Sequence, residues 1–239
     1  MTTVDLLAIA AHRDDAELAC GGTLIKAAKQ GYRTAIVDLT QGELGTTGSA
    51  EIRAAEASRA AELMGVTARE NLQLPDAGIV NTPETRTLLA KTIRRFRPKV
   101  VIAPAPKGRH PDHGTTAQLV RDACFVAGLA KIAPEVAKHR PHKVVHAVTY
   151  RHDLEKPTFV VDISEEFEQK LAAIRCYASQ FEHVIQGGEV YPNGEPLYDV
   201  VRHYAAYYGT MIRTRYGEPY FTTETVRADD ILALEVATF

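Results

Sequence analysis

The sequence of 239 residues contains no tryptophan, only three cysteines and no surplus of positive charge. Cys20, Cys124 and Cys176 are far apart and fit no CxxC spacing, so buried thiols are expected rather than a disulfide framework. A net charge of −2 leaves no basic surplus to neutralise phosphates, which argues against a nucleic-acid partner. No stretch approaches the roughly 20 apolar residues of a membrane span, and no basic leader precedes the first predicted strand. We therefore expect a cytoplasmic protein without a membrane partner.

Apolar runs and amphipathic helical patterns alternate along the chain, and hydrophobic residues make up 45% of it. Apolar runs indicate strands, and these lie at residues 4–10, 33–39, 71–74, 99–103, 144–150 and 158–162. Helical patterns occupy residues 20–30, 49–65, 82–97, 115–129, 164–181 and 197–214. The sequence predicts a loop over residues 130–143 and an irregular tail over residues 216–221.

This alternation predicts an α/β fold: a Rossmann-like, doubly wound, mainly parallel sheet with helices on both faces. A strand order of 3-2-1-4-5 makes the first and fourth strands neighbours at the topological switch point. No repeat or linker divides the sequence, so we predict one domain over residues 1–239, whose part from about residue 140 elaborates the α/β core.

The first polar motif is Ala-His-Arg-Asp-Asp-Ala-Glu at residues 11–17, directly after the first predicted strand. It places one imidazole and two adjacent carboxylates at the carboxyl end of a buried strand, where α/β proteins build their sites. Histidine with aspartate is a ligand pair suited to zinc. Taken alone, the two aspartates are equally well interpreted as caps of the following helix.

The second motif is Arg-His-Pro-Asp-His-Gly at residues 109–114, again between a strand and a helix. Two histidines around an aspartate at a strand end favour a metal or catalytic site over a structural role. The predicted strand order brings both motifs together. The combined candidate set is His12, Asp14, Asp15, His110, Asp112 and His113. The other histidines of this region match no metal-ligand spacing and are interpreted as surface residues: His139, His142, His146 and His152.

Both motifs resemble the signatures of the LmbE-like (PIG-L) zinc-dependent N-acetylglucosamine deacetylases. The similarity continues through GELGT at 42–46, the helix with Arg53, LPDAG at 74–78, CYASQF at 176–181 and YGEPYF at 216–221. These segments look like the branch that deacetylates N-acetylglucosaminyl-malate in bacillithiol biosynthesis. The resemblance implies one zinc ion per chain, with Fe²⁺ as an alternative, a small glycoside substrate, and a homo-oligomer that is hexameric or built from dimers.

Residue by residue, the resemblance implies zinc ligands at His12, Asp15 and His113. It implies a general base at Asp14 and an electrostatic stabiliser at His110, with Asp112 as its neighbour. Sugar-binding positions follow in the same way: Glu43, Arg53 and Asp76. Arg109 is added from its location beside the cluster. Arg13 stands where the family has proline, which frees φ, restores an N–H donor and brings a cation to the turn.

Three protein ligands leave a coordination position open for water, which is typical of a catalytic zinc site. Zinc lowers the pKa of such a water to about 7. We expect Asp14 to accept its proton and a protonated His110, favoured by the charge of Asp112, to stabilise the tetrahedral oxyanion. The expected products are acetate and a free amino sugar.

Three other interpretations compete with this one. A nucleotide-binding Rossmann protein does not fit the first turn, where carboxylates replace the G-x-G-x-x-G loop that holds pyrophosphate. A non-catalytic metal-binding or carbohydrate-binding module has no need for Asp14 or His110. A related deacetylase or amidohydrolase that acts on another acetamido sugar or thiol conjugate stays open.

Overall fold

The computed structural model describes residues 2–148, 156–182 and 196–230, together with residues 233, 235 and 236. Its seven-stranded sheet has the order β3-β2-β1-β4-β5-β7-β6. The strands are β1 (Leu6–Ala10), β2 (Thr34–Thr40), β3 (Ala68–Leu74), β4 (Val100–Pro104), β5 (Lys143–Ala147), β6 (Phe159–Asp162) and β7 (Gly217–Phe221). The first five are parallel, which confirms the predicted order 3-2-1-4-5. β7 pairs antiparallel with both β5 and β6.

Helices cover both faces of the sheet. They are α1 (Asp15–Lys29), α2 (Ala50–Leu63), α3 (Pro83–Phe96), α4 (Pro111–Ala127), α5 (Phe167–Arg175), α6 (Ala178–Phe181) and α7 (Leu197–Met211). One core lies between the sheet and helices α3 and α4, and the other lies on the face covered by α1, α2 and α5. All residues of β2 are buried, as expected for a central parallel strand. None of the helices in the described ranges is long and apolar enough to cross a membrane.

Two helices begin earlier than the sequence indicates, and both begin in the polar motifs. α1 starts at Asp15, and its ladder is interrupted at Cys20, whose φ of −142° is not helical. The two glycines after Cys20 mark the second half of this helix, which the pattern identified as its start. α4 starts at Pro111, a residue favoured at the first helical position, with His110 as its N-cap.

The predicted irregular tail is wrong, because residues Gly217–Phe221 form β7. A buried glutamate and a proline argue against a strand in sequence, yet both are accommodated here. Glu218 is 1% exposed and accepts the Lys170 ammonium at 2.6 Å. Its carboxylate also accepts the N–H groups of Gly22 and Thr23, at 2.8 and 2.7 Å, where the second half of α1 begins. A distant carboxylate therefore caps the interrupted helix.

The predicted helix over residues 164–181 is two helices, α5 and α6, separated at Cys176 and Tyr177. Tyr177 leaves helical geometry with ψ of 53° and is fully buried. The prediction that His146 lies at the surface is also wrong, because it is 3% exposed in β5 with Nδ1 2.7 Å from the carbonyl oxygen of Pro104. His142 is exposed as predicted and His139 is half-buried; His152 lies outside the described residues.

Candidate active site

The two polar motifs meet at the carboxyl ends of β1 and β4. These strands pair in register from Leu6 with Val100 to Ala8 with Ile102, so the turns that follow them lie side by side. The ring centroids of His12 and His110 are 4.6 Å apart, although the residues lie in different halves of the parallel sheet. The topology thus brings together the predicted site.

His12, Asp15 and His113 form a compact group that can hold a metal ion. Asp15 lies between the imidazoles, with Oδ2 3.2 Å from His12 Nδ1 and Oδ1 3.1 Å from His113 Nε2. The candidate ligand atoms of the three residues all lie within 4.8 Å of one another. Two nitrogens and one carboxylate oxygen are a donor set that suits zinc. A second group that meets the same distance criterion shares one member: His12, His110 and Asp112.

The surroundings of His12 indicate that a cation belongs at this position. Its Nε2 lies 3.1 Å from Asp76 Oδ1 and 3.4 Å from Asp112 Oδ2, yet makes no well-directed hydrogen bond within the described part of the chain. Burial lowers the pKa of His12, but the carboxylates around it, led by Asp15, outweigh burial and raise the pKa to about 11. Without a metal, the proton of His12 supplies the positive charge that these carboxylates require, so the residues fit a divalent ion.

Asp14 faces away from this group and towards Arg53. Its Oδ1 lies 3.3 Å from Nη2 of Arg53, which is 5% exposed and donates from Nη1 to the carbonyl of Gly42 at 3.0 Å. Gly42 has φ of +70°, and a Cβ atom there would lie 2.1 Å from Arg53 Nη1. Only glycine allows both this conformation and this close approach. The chain therefore fixes the direction of the Asp14 carboxylate through a buried guanidinium.

His110 is held through its Nδ1 atom, which accepts the backbone N–H of Asp112 at 3.3 Å. This bond leaves Nε2 as the donor of a neutral imidazole. Burial lowers the pKa of His110, and His12 and His113 lower it further, against the opposing charge of Asp112. Asp112 therefore acts in the expected direction but does not decide the outcome, and the expected imidazolium is not favoured.

Asp112 and Asp76 join the loops around the cluster. The buried carboxylate of Asp112 accepts the N–H groups of Ala77 and Ile79, at 2.9 and 3.4 Å. Asp76 accepts the N–H of Leu44 at 3.0 Å. Its hydrogen bond with His12 is the main reason that the pKa of Asp76 falls to about 2. Asp76 thus remains an anion at the cluster.

Glu43 and Arg109 lie at the exposed rim of the site. Glu43 accepts the backbone N–H of Asp76 at 2.8 Å, which ties the two rim loops together. Sequence reasoning missed Arg69 and Tyr177, whose side chains both donate to the carbonyl oxygen of Arg13 inside the first motif. Neither lies in a polar turn, so no local signal marks them.

A His/Asp metal cluster at the strand ends of a parallel sheet, with a further carboxylate and imidazole beside it, defines a metal-dependent hydrolase. The family described as "PIG-L: GlcNAc-PI de-N-acetylase" matches residues 7–124. Diacetylchitobiose deacetylase from Thermococcus kodakarensis is 34% identical over 225 residues, covering 89% of this chain and 80% of that protein. The chain belongs to the PIG-L, or LmbE-like, family of deacetylases.

Two further similarities cover most of the chain. A structure titled as the conserved protein TT1542 from Thermus thermophilus has a TM-score of 0.85 and 37% identity, and covers 95% of this chain and 97% of its own. A probable N-acetyl-alpha-D-glucosaminyl L-malate deacetylase 2 of Bacillus anthracis is 27% identical over 189 residues, covering 74% of this chain and 81% of that protein. The family and the amide-hydrolysing activity on acetylated sugar conjugates predicted from sequence are confirmed. The malate conjugate stays a prediction.

Proposed function

We propose that this enzyme hydrolyses the acetamide of an N-acetylglucosamine unit in a small glycoside, with one zinc ion held by His12, Asp15 and His113. The observation that carries this proposal is the divergence of the two adjacent aspartates. Asp15 lies between two imidazoles, whereas Asp14 lies against Arg53. One carboxylate is thus placed to bind a metal and its neighbour to move a proton.

When bound, zinc activates a water molecule and polarises the acetamide carbonyl as a Lewis acid. Fe²⁺ is an alternative, because imidazole and carboxylate ligands also suit iron. Asp14 accepts the proton of the attacking water, and the guanidinium of Arg53 keeps its carboxylate directed at the reaction centre.

His110 donates its Nε2–H to the carbonyl oxygen as negative charge develops there, while the Asp112 N–H fixes its tautomer. The new C–O bond forms from water, the C–N bond breaks, and Asp14 returns its proton to the leaving amine. The products are acetate and the free amino sugar. Asp112 acts here as a positioning residue for His110 and for the loop that carries Asp76.

The described surroundings favour a neutral aglycone. Arg53, expected to hold the sugar, is engaged in the interior by Gly42 and Asp14. The similarity to diacetylchitobiose deacetylase also exceeds that to the malate-conjugate deacetylase in both identity and coverage. We therefore propose an acetylated amino-sugar disaccharide as the first substrate, with Glu43 and Asp76 as acceptors for sugar hydroxyls.

N-acetylglucosaminyl-malate, and with it a role in bacillithiol biosynthesis, is the second candidate. Arg109 favours it, because this exposed cation at the rim can reach a carboxylate of the aglycone. The family resemblance further supports a cytoplasmic homo-oligomer, hexameric or built from dimers, which light scattering of the purified chain tests directly.

The deciding experiment compares acetate release by the zinc-loaded chain from diacetylchitobiose, N-acetylglucosaminyl-malate and free N-acetylglucosamine. We expect the highest kcat/KM on the disaccharide. A preference for the malate conjugate would establish the second candidate. Absence of acetate release from all three, by a chain that retains zinc, would overturn the proposed function.

A further inference from the structure

The turn that carries His12 and Asp14 is held at every carbonyl group. Ala11 accepts the N–H of Thr40 at 3.0 Å, and His12 accepts that of Asp15 at 3.4 Å. The carbonyl of Asp14 accepts a bond within the first turn of α1. The carbonyl of Arg13, between the two functional residues, is instead bound by two side chains, those of Arg69 and Tyr177.

Arg69 is fixed by four different segments of the chain. Its Nε and Nη2 atoms bind both carboxylate oxygens of Asp38 on β2, at 2.8 and 2.9 Å. Its Nη1 donates to Glu17 Oε1 at 2.6 Å and to the carbonyl of Ala57 at 3.2 Å. With Arg13, these acceptors use all five N–H donors that a guanidinium offers. The position of Arg69 is therefore set by β2, α1, α2 and the turn together.

Tyr177 approaches the same carbonyl from the break between α5 and α6. The residue is fully buried, and its hydroxyl lies between the carbonyl of Arg13 and Glu17 Oε1, which is 2.9 Å away. Two elements far from the motif thus meet at one backbone oxygen. The Arg13 side chain adds a third tie, because its guanidinium donates to the carbonyl of Ala50 at the start of α2.

We propose that Arg69 and Tyr177 are positioning residues for the metal site and for Asp14. By holding the Arg13 carbonyl they set the direction in which the backbone leaves His12 and enters Asp14, and so keep the metal ligand and the proton acceptor apart. Within the described residues, the hydrogen bonds of Arg69 and Tyr177 reach Asp38, Glu17 and backbone carbonyls, not the three imidazoles. Their effect on the reaction is therefore indirect.

Two substitutions test this inference. Arg69→Lys keeps the charge beside Asp38 and Glu17 but cannot supply the five-donor fork, and Tyr177→Phe removes only a hydroxyl. We expect either variant to weaken zinc affinity about tenfold or more, as outer-shell partners of metal ligands do, and to lower kcat with KM nearly unchanged. The absorption spectrum of the cobalt(II)-loaded protein should shift as well, because the ligand geometry relaxes.

Matched controls separate positioning from simple stability. Tyr220→Phe deletes another buried hydroxyl, 3.4 Å from Glu218, and Arg95→Lys alters an arginine that pairs with Glu70 near the surface. Both controls should retain zinc affinity and the cobalt spectrum. If Tyr177→Phe and Arg69→Lys only lower the melting temperature and otherwise match the controls, the inference is overturned; Tyr177→Phe decides alone should Arg69→Lys not fold.

This inference rests on the proposed function only for the prediction about kcat. Zinc affinity and the cobalt spectrum are measured without a substrate. Failure of the wild type to release acetate would therefore count against the proposed function alone. Unchanged zinc affinity in both variants would count against the positioning role alone.

Discussion

Asp14 Oδ1 lies 3.3 Å from Nη2 of Arg53, while the carboxylate of the adjacent Asp15 lies between His12 and His113. Two neighbouring aspartates therefore have different electrostatic partners, one a guanidinium and the other two imidazoles. This divergence separates metal binding from proton transfer within two residues of chain.

The division of labour predicts opposite defects for two isosteric variants. Asp14→Asn should retain about one zinc ion per chain while kcat falls by roughly 10²–10⁴, the usual contribution of general acid–base catalysis. Asp15→Asn should lose zinc on dialysis and regain part of its activity in excess zinc. Metal analysis and initial rates measure both. Zinc loss in Asp14→Asn with retention in Asp15→Asn would mean that the roles are exchanged.

Arg53 and Arg109 should differ in how they affect substrate choice. Arg53→Met leaves Asp14 without its guanidinium partner, so kcat should fall about 10-fold or more, and to the same extent on charged and uncharged glycosides. Arg109→Met, the matched change at the rim, should weaken turnover of N-acetylglucosaminyl-malate alone. Competing-substrate assays with both variants check this. A selective loss of malate-conjugate turnover in Arg53→Met would instead place its guanidinium on the substrate.

His110 should act as a neutral hydrogen-bond donor. His110→Ala should retain zinc and lose about 10²–10³ in kcat, as expected when an oxyanion donor is removed. His110→Gln can still donate an N–H and should recover part of that loss, because neither burial nor the neighbouring imidazoles favour a charged His110. Loss of zinc from His110→Ala would assign the metal to the alternative group that contains His110 and Asp112.

Zinc binding should release protons. Metal coordination needs neutral imidazole, but nearby carboxylates raise the pKa of His12 to about 11 when no metal is bound. Asp15 likewise raises the pKa of His113. At pH 8 each ion should therefore displace close to one proton from His12, and apparent affinity should rise up to about tenfold per pH unit from pH 7 to 9. Calorimetric zinc titrations in buffers of different ionisation enthalpy measure this release. A heat that does not depend on the buffer would contradict the prediction.

The buried pair of Lys170 and Glu218 should contribute far more to stability than a surface pair. Lys170→Met leaves Glu218 buried without its cation and should lower the free energy of unfolding by about 3–5 kcal/mol. Lys91→Met removes an exposed partner of Glu135 and should cost less than about 1 kcal/mol. Urea unfolding of the zinc-free chain compares the two. Similar losses in both would show that water reaches the Lys170 pair.

The sequence by itself determined the parallel core and the location of the site. Apolar runs alternating with amphipathic helices specify consecutive right-handed β-α units, and this topology makes β1 and β4 neighbours. Each polar motif directly follows its strand, so the meeting of His12 with His110 follows from connectivity. Local spacing was sufficient because these features depend on periodicity and on chain order.

Tertiary structure decided the features that depend on distant contacts. The burial of Glu218 required Lys170, so no local pattern identified β7 as a strand. The Tyr177 hydroxyl reaches the carbonyl of Arg13 across 164 residues. Arg53 lies against Asp14 only because Gly42 admits its guanidinium. Charge and hydrogen-bonding capacity are visible in a sequence, but the partner that satisfies each group in a dry interior is chosen by packing.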